Sequence, residues 1–210
     1  MKRLYCIEGH WDYGPGCGEP SVEPMLQMVH ACGGWPYLRR NCATVSEMRY
    51  WLQTEWCERC ANGSILYIAS HGDPGRIWLS SREGFREVEA LSTLADRIEN
   101  DLFAERCLVH FGGCRVLDCS DDAIDAFLDR SGAYAVSGYT EDGYWIAENS
   151  GFPPSLALEL MFFGSICERN VNIANHATAG QELPRLAEEI KRRFPECGFR
   201  LRVRPEPLPR

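Results

Sequence analysis

The sequence predicts an α/β protein, a three-layer α/β/α sandwich on a mostly parallel six-stranded sheet, in a single domain spanning residues 1–210. Three observations carry that prediction. Short apolar runs, Ile65-Leu66-Tyr67-Ile68-Ala69 and Cys107-Leu108-Val109-His110-Phe111, lead into glycine-bearing segments, as strands buried on both faces do. Amphipathic helical patterns lie between such runs. The 210 residues are 45% hydrophobic, enough for one sizeable core.

The elements follow in order. A strand is expected over residues 3–8, then a Gly-rich loop over 9–20. Val22, Met25, Leu26 and Val29 form one helical stripe, which Gly33-Gly34 ends. A second strand fits 37–43. Thr44 with Glu47 reads as a capping box for a helix burying Val45, Met48, Leu52 and Trp56. The strand ending at His71-Gly72 comes next. Residues 76–80 and 85–89 flank Ser81–Gly84 as a small hairpin. Leu91, Leu94, Ala95, Ile98 and Leu102 make the clearest amphipathic helix. After the strand ending at Cys114, Ser120-Asp121-Asp122 opens a helix carrying Ile124, Phe127 and Leu128. A fifth strand spans 133–138, and Asp142-Gly143 marks a turn. Pro153-Pro154 starts a helix that is apolar nearly all round over 156–163. Leu183, Leu186, Ile190 and Phe194 define a last helix. Beyond it Phe199, Leu201 and Val203 alternate with arginines, the pattern of an edge strand.

Bulk properties exclude several functions. A net charge of −8 argues against nucleic acid as the main partner. No apolar run reaches the roughly 18 residues of a membrane span, and the N-terminus lacks the apolar core of a signal peptide, so a cytoplasmic protein is expected. The eleven cysteines are odd in number and show no compact disulfide framework. Cys6, Cys32, Cys107 and Cys167 sit in apolar runs, where free cysteine acts as a small hydrophobe. Cys57-x-x-Cys60 is better read as reduced thiols at a helix end than as half a zinc site, since zinc needs two more ligands. It also ends a helical pattern where a thioredoxin-type pair would open one. No cofactor and no metal are expected.

His71 and Cys114 carry the chemistry. Adjacent parallel strands share one rim at their carboxyl ends, and that is where ligands bind in open α/β sheets. A thiol and an imidazole meeting there supply a nucleophile and its base. Gly72 lets its backbone N–H approach a substrate carbonyl with no Cβ in the way. With the N–H of Cys114 it could bind a tetrahedral oxyanion. Gly112-Gly113 leave room beside the nucleophile.

Ser70-His71-Gly72, the hairpin, the amphipathic helix and Gly113-Cys114 resemble the caspase-like fold of clan CD cysteine peptidases. The closer resemblance is to the CHAT-type group and other bacterial caspase homologues. It continues through Ser131–Thr140, the acidic turn and the buried helix after it, covering about 64–164. The resemblance implies a His71–Cys114 dyad with Gly72 and Cys114 N–H groups as the oxyanion site. It implies a protein or peptide substrate, with activation by a sensor or partner protein. It also implies a setting such as bacterial anti-phage defence or programmed death, with a pore-forming gasdermin-like protein as one kind of substrate. Caspases proper carry Gln-Ala-Cys-Arg-Gly; here the run is Gly112-Gly113-Cys114-Arg115-Val116, so cleavage after aspartate does not follow. In the family, loops after the first and fifth strands line the first substrate pocket. Here they offer Glu8, His10, Asp12, Tyr139, Glu141 and Asp142, an acidic set suited to Lys or Arg, or else simply solvated loop acids.

Three rivals remain. A catalytically silent caspase-fold interaction module would need neither His71 nor Cys114. A thiol acyl hydrolase on a small molecule would use a closed pocket instead of an open groove. Metal-dependent regulation through the surplus cysteines predicts bound zinc. His110 lies four residues before Cys114 and reads as a buried, hydrogen-bonded core residue. His10 is the alternative base.

Overall fold

A computed structural model describes residues 2–11, 21–60, 62–80, 87–98, 107–142 and 154–204. The expected turns at 81–84 and 142–143, most of the loop at 9–20, and the helical continuation to Leu102 fall wholly or partly outside these residues.

The chain runs β1 (Leu4–Gly9), α1 (Glu23–Gly33), β2 (Tyr37–Cys42) and α2 (Val45–Trp51). A π-helical segment, Leu52–Trp56, then joins α2 to the short α3 (Cys57–Arg59). Next come β3 (Ile65–Ala69), β4 (His71–Asp73), β5 (Arg76–Ser80), β6 (Glu87–Ala90), α4 (Leu91–Ile98) and β7 (Leu108–Phe111). α5 (Asp121–Ser131), β8 (Ala135–Tyr139), α6 (Pro154–Glu168), α7 (His176–Arg193) and β9 (Phe199–Val203) complete it. The main sheet has six strands in the order β2-β1-β3-β7-β8-β9, parallel except for β9.

Helices cover both faces, as the predicted sandwich requires. Met25, Leu26 and Val29 of α1, Phe162 and Phe163 of α6, and Leu183 and Ile190 of α7 pack on the side of Cys6, Tyr67 and Leu108. Val45 and Met48 of α2, Leu91 and Leu94 of α4, and Ile124 and Phe127 of α5 pack on the side of Ile7, Ile68 and Val109. Strands β1, β3, β7 and β8 are buried along their whole length, which explains why apolar residues dominate them without polar alternation.

Local signals behave as the sequence implies. Thr44 accepts from the Glu47 N–H, and the Glu47 carboxylate accepts from Thr44 in return. Ser120 caps α5 by accepting from Ala123. The edge strand β9 and the residue after it send arginines to α5, one helical turn per step: Arg200 to Asp121, Arg202 to Asp125, and Arg204 to Asp129. The arginines therefore cover the sheet edge with charge.

One expectation is revised. His71 does not end the central strand. β3 stops at Ala69, Ser70 bends, and His71 opens β4, the first strand of a separate antiparallel sheet, β4-β5-β6. The expected two-stranded hairpin is thus three-stranded, and His71 lies opposite Trp78 in its ladder.

Beside β1, Arg40 of β2 pairs with Glu55 at 2.6 Å, and the Tyr5 hydroxyl donates to the same carboxylate at 3.2 Å. The Arg40 hydrogen bond holds Glu55 below the usual carboxylate range, despite some burial. A carboxylate whose pKa is depressed on folding stabilises the fold above its unfolded value and loses that stabilisation as pH falls through the folded one. Glu55→Gln should therefore cost about 1 kcal/mol at neutral pH and flatten the decline of stability below about pH 4. Urea denaturation of both proteins across pH 3–7 measures this.

Candidate active site

β3 and β7 are parallel neighbours, so the segments that follow them leave the sheet side by side. The Ile68 carbonyl still accepts from Gly112 at 2.9 Å, one step past the last residue of β7. Beyond that rung the two backbones close on each other. A Cβ on Gly72 would lie 2.4 Å from the Cys114 carbonyl oxygen and 2.5 Å from Val116 Cγ2. One on Gly113 would lie 2.9 Å from the Ser70 carbonyl and 3.1 Å from that of His71. Only glycine admits this approach. His71-Gly72 and Gly113-Cys114 therefore come together at the carboxyl end of the sheet, with His71 and Cys114 both half-buried.

The turn that presents Cys114 is tightly held. Arg115 has φ +56°, a left-handed conformation that is unfavourable for a residue with a side chain. Its N–H donates to the Glu141 carbonyl at 3.3 Å, and Leu117 donates to Tyr139 at 2.9 Å. Gly75, in the β4–β5 turn, donates to the Arg115 carbonyl at 3.3 Å. From β9, Arg200 donates to the Leu117 and Cys119 carbonyls at 2.7 and 2.8 Å. Parallel strand, hairpin and edge strand all converge on this turn.

The expected pocket acids divide into three groups. Glu8 does not line an open pocket: it is 1% exposed and paired with Arg39. It also accepts from Trp11 Nε1 and the Val22 N–H, each at 2.8 Å, and from the Ser21 hydroxyl at 3.2 Å. Tyr139 is buried too, and its hydroxyl donates to Glu159 of α6 at 2.9 Å. Burial first, then the charge of Glu159, raises the Tyr139 phenol well above its ordinary value, and the nearby Cys114 adds to the shift. A buried acid needs a partner, and both residues have spent their polar atoms inside the protein. Glu141 and Asp142 are exposed, and their charges act on Arg115 of the same chain. The hydrogen bond that Arg115 donates to Asp118 raises its guanidinium above its ordinary range, and the charges of Asp142 and Glu141 add to this. His10 is exposed and its N–H donates to Leu79 at 2.8 Å. Asp12 lies outside the described residues.

His110 occupies the core. Its Nδ1 meets Ser137 Oγ at 2.8 Å and its Nε2 meets Glu159 at 2.9 Å, all three fully buried. Cys6, Tyr67, His110 and Ser137 are register partners across four strands, so a polar row crosses the sheet beneath the rim. Among the described residues, the Tyr67 hydroxyl in this row meets no hydrogen-bond partner. Sequence reasoning missed Arg39, Trp11, Glu159 and Arg200. A lone glutamate in an apolar helix was the available signal for Glu159.

Among the described residues, no group of three or more His, Cys, Asp or Glu side chains is arranged to hold a metal. Among the described residues, Cys6, Cys32, Cys42, Cys60, Cys107, Cys119, Cys167 and Cys197 form no disulfide. Burial pushes the thiols of Cys42, Cys60 and Cys167 up to about 12. No helix among the described residues is long and apolar enough to cross a membrane.

The architecture is caspase-like. The chain is similar to caspase-1 from Spodoptera frugiperda, with 13% identity and a TM-score of 0.50 over 96% of this chain and 86% of that one. It is also similar to Raptor from Chaetomium thermophilum, with 8% identity and a TM-score of 0.51 over 79% of this chain and 18% of that one. At these identities the likeness is one of fold. The chain belongs to the family of unknown function DUF6642, whose profile matches residues 1–179. No curated protein matches it.

Gly72→Ala should cost about 1–3 kcal/mol by overpacking the rim. Gly164→Ala in α6, where a Cβ meets nothing within 4 Å, should be neutral or stabilising by up to about 1 kcal/mol. Paired chemical denaturation curves report both. Iodoacetamide at pH 7.5 should label the exposed Cys32 and Cys57 and spare Cys6, Cys42 and Cys107, whose thiolates burial disfavours; peptide mass mapping reads the pattern.

Proposed function

We propose that the protein is a cysteine endopeptidase that works through a His71–Cys114 dyad. The observation that carries this reading is the contact of Gly72 with the Cys114 backbone, which joins the histidine and cysteine segments at one rim. The caspase-like fold and the strained turn after Cys114 support it.

The chemistry follows from the residue types. His71 takes the thiol proton, and the Cys114 sulfur attacks the scissile carbonyl carbon to give a tetrahedral oxyanion. The N–H groups of Gly72 and Cys114 stabilise that oxygen. Collapse breaks the C–N bond, the leaving amine takes its proton from His71, and a thioester remains on Cys114. Water, deprotonated by His71, then attacks the thioester, releasing the acid and restoring the thiol. Every atom needed comes from the chain, the substrate and water.

The resemblance to CHAT-type and other bacterial caspase homologues supports a cytoplasmic protease of anti-phage or death systems. A partner would switch it on, and a pore-forming gasdermin-like protein would be a fitting substrate. Residue preference at the cleavage site is open to both signs of charge, because Arg115 stands beside Glu141 and Asp142.

Fluorogenic peptides bearing Asp, Arg, Lys or Leu before the scissile bond test the proposal. Turnover of at least one is expected, abolished in Cys114→Ala and reduced about 10²–10⁴-fold in His71→Ala. Undiminished turnover in Cys114→Ala would overturn the assignment. So would failure of an electrophilic peptide probe to label Cys114 in a protein that shows no turnover.

A further inference from the structure

His71 does not stand alone at the rim. The indole of Trp11 packs edge-to-face against its imidazole, with ring centroids 4.9 Å apart and planes at 75°. Trp11 follows β1, and two anchors fix it there. Its neighbour His10 bridges to Ser80 and donates its N–H to Leu79, tying the segment to β5. Its own Nε1–H donates to Glu8 at 2.8 Å. Glu8 in turn is held in the interior by Val22, Ser21 and Arg39, and Arg39 reaches on to Glu23 at 3.3 Å. Partial burial opposes the Arg39 charge, but the hydrogen bond to Glu8 and the charges of Glu8 and Glu23 together hold its guanidinium above its ordinary range.

A carboxylate that is 1% exposed and accepts hydrogen bonds from four separate groups is a rigid anchor. The rotamer of an imidazole on a short strand is set by the side chains packed against it. The indole that this anchor holds is packed directly against the His71 ring. We propose that Trp11 is a positioning residue for His71, and that the Glu8–Arg39 ion pair acts on the dyad through it. The acid at the end of β1 thereby serves the base and not a substrate pocket.

The inference rests on the dyad reading, and its test separates the two. The rate of Cys114 alkylation by iodoacetamide is followed from pH 5 to 10 by peptide mass mapping, with no peptide substrate involved. The proteins compared are the wild type, His71→Ala, Trp11→Ala, Trp11→Phe, Glu8→Ala and the Glu8/Trp11 double variant. The wild-type profile should differ from that of His71→Ala, because the imidazole assists thiolate formation. Trp11→Ala should move the profile toward that of His71→Ala and slow alkylation at pH 7 by about tenfold, the scale of one aromatic contact. Trp11→Phe keeps a ring on His71 and should restore most of the loss. The double variant should be no slower than Trp11→Ala, since Glu8 acts through the indole.

If Trp11→Ala lowers thermal stability yet its profile superimposes on the wild type, the positioning role is overturned and the dyad stands. If the wild-type profile already coincides with that of His71→Ala, the dyad itself fails, and the positioning role with it. Independent, multiplying effects of Glu8 and Trp11 would overturn the link between them. Should Glu8→Ala fail to fold, the Trp11 pair still decides the first question.

Discussion

Two backbones pass so closely at the rim that neither tolerates a side chain at the point of contact. Gly72 lies against Cys114 and Gly113 against Ser70 and His71, and everything else at the site follows from that approach. It requires β3 and β7 to be parallel neighbours ending at the same level, which in turn requires a sheet buried on both faces. It also requires the turn after β7 to take a left-handed residue at Arg115, at a cost of about 1–2 kcal/mol. Bonds from the β4–β5 turn, from the loop after β8 and from Arg200 on β9 hold that conformation. The strain is local and the support is distributed, as expected where a fold fixes one residue in an unfavourable geometry.

Much of the architecture was legible because it rests on short-range signals. The capping box at Thr44 and Glu47, the Ser120 cap and the arginine alternation of β9 are each written within a few residues. The parallel strands announce themselves because burial on both faces leaves no polar alternation. The unread parts depend on contacts distant in sequence. Nothing near His71 reveals that it opens a second sheet, since a three-residue strand has no pattern of its own. Nothing near Leu52 reveals the π-helical segment.

The site was half legible for the same reason. The closeness of His71-Gly72 to Gly113-Cys114 could be read, because the segments after neighbouring parallel strands leave the sheet at one rim. The acids could not be sorted, because their meaning lies in their partners. Glu8 looked like a loop acid until Arg39, from the adjacent strand, was seen to neutralise it. Its placement among apolar residues in β1 was the clue, since an unpaired charge could not sit there. Tyr139 likewise belongs to Glu159, far along the chain.

Glu159 is the carboxylate by which α6 meets the polar row beneath the rim. A helix apolar nearly all round has no preferred rotation about its own axis, because every face is equally content against a sheet. The hydrogen bonds from Tyr139 and His110 remove that degeneracy. One carboxylate acts as the index mark that tells α6 which way to face, much as a key fixes a shaft in its collar. The surrounding Leu158, Phe162 and Phe163 are then free to be exchanged for other apolar side chains of similar volume, so long as the mark remains.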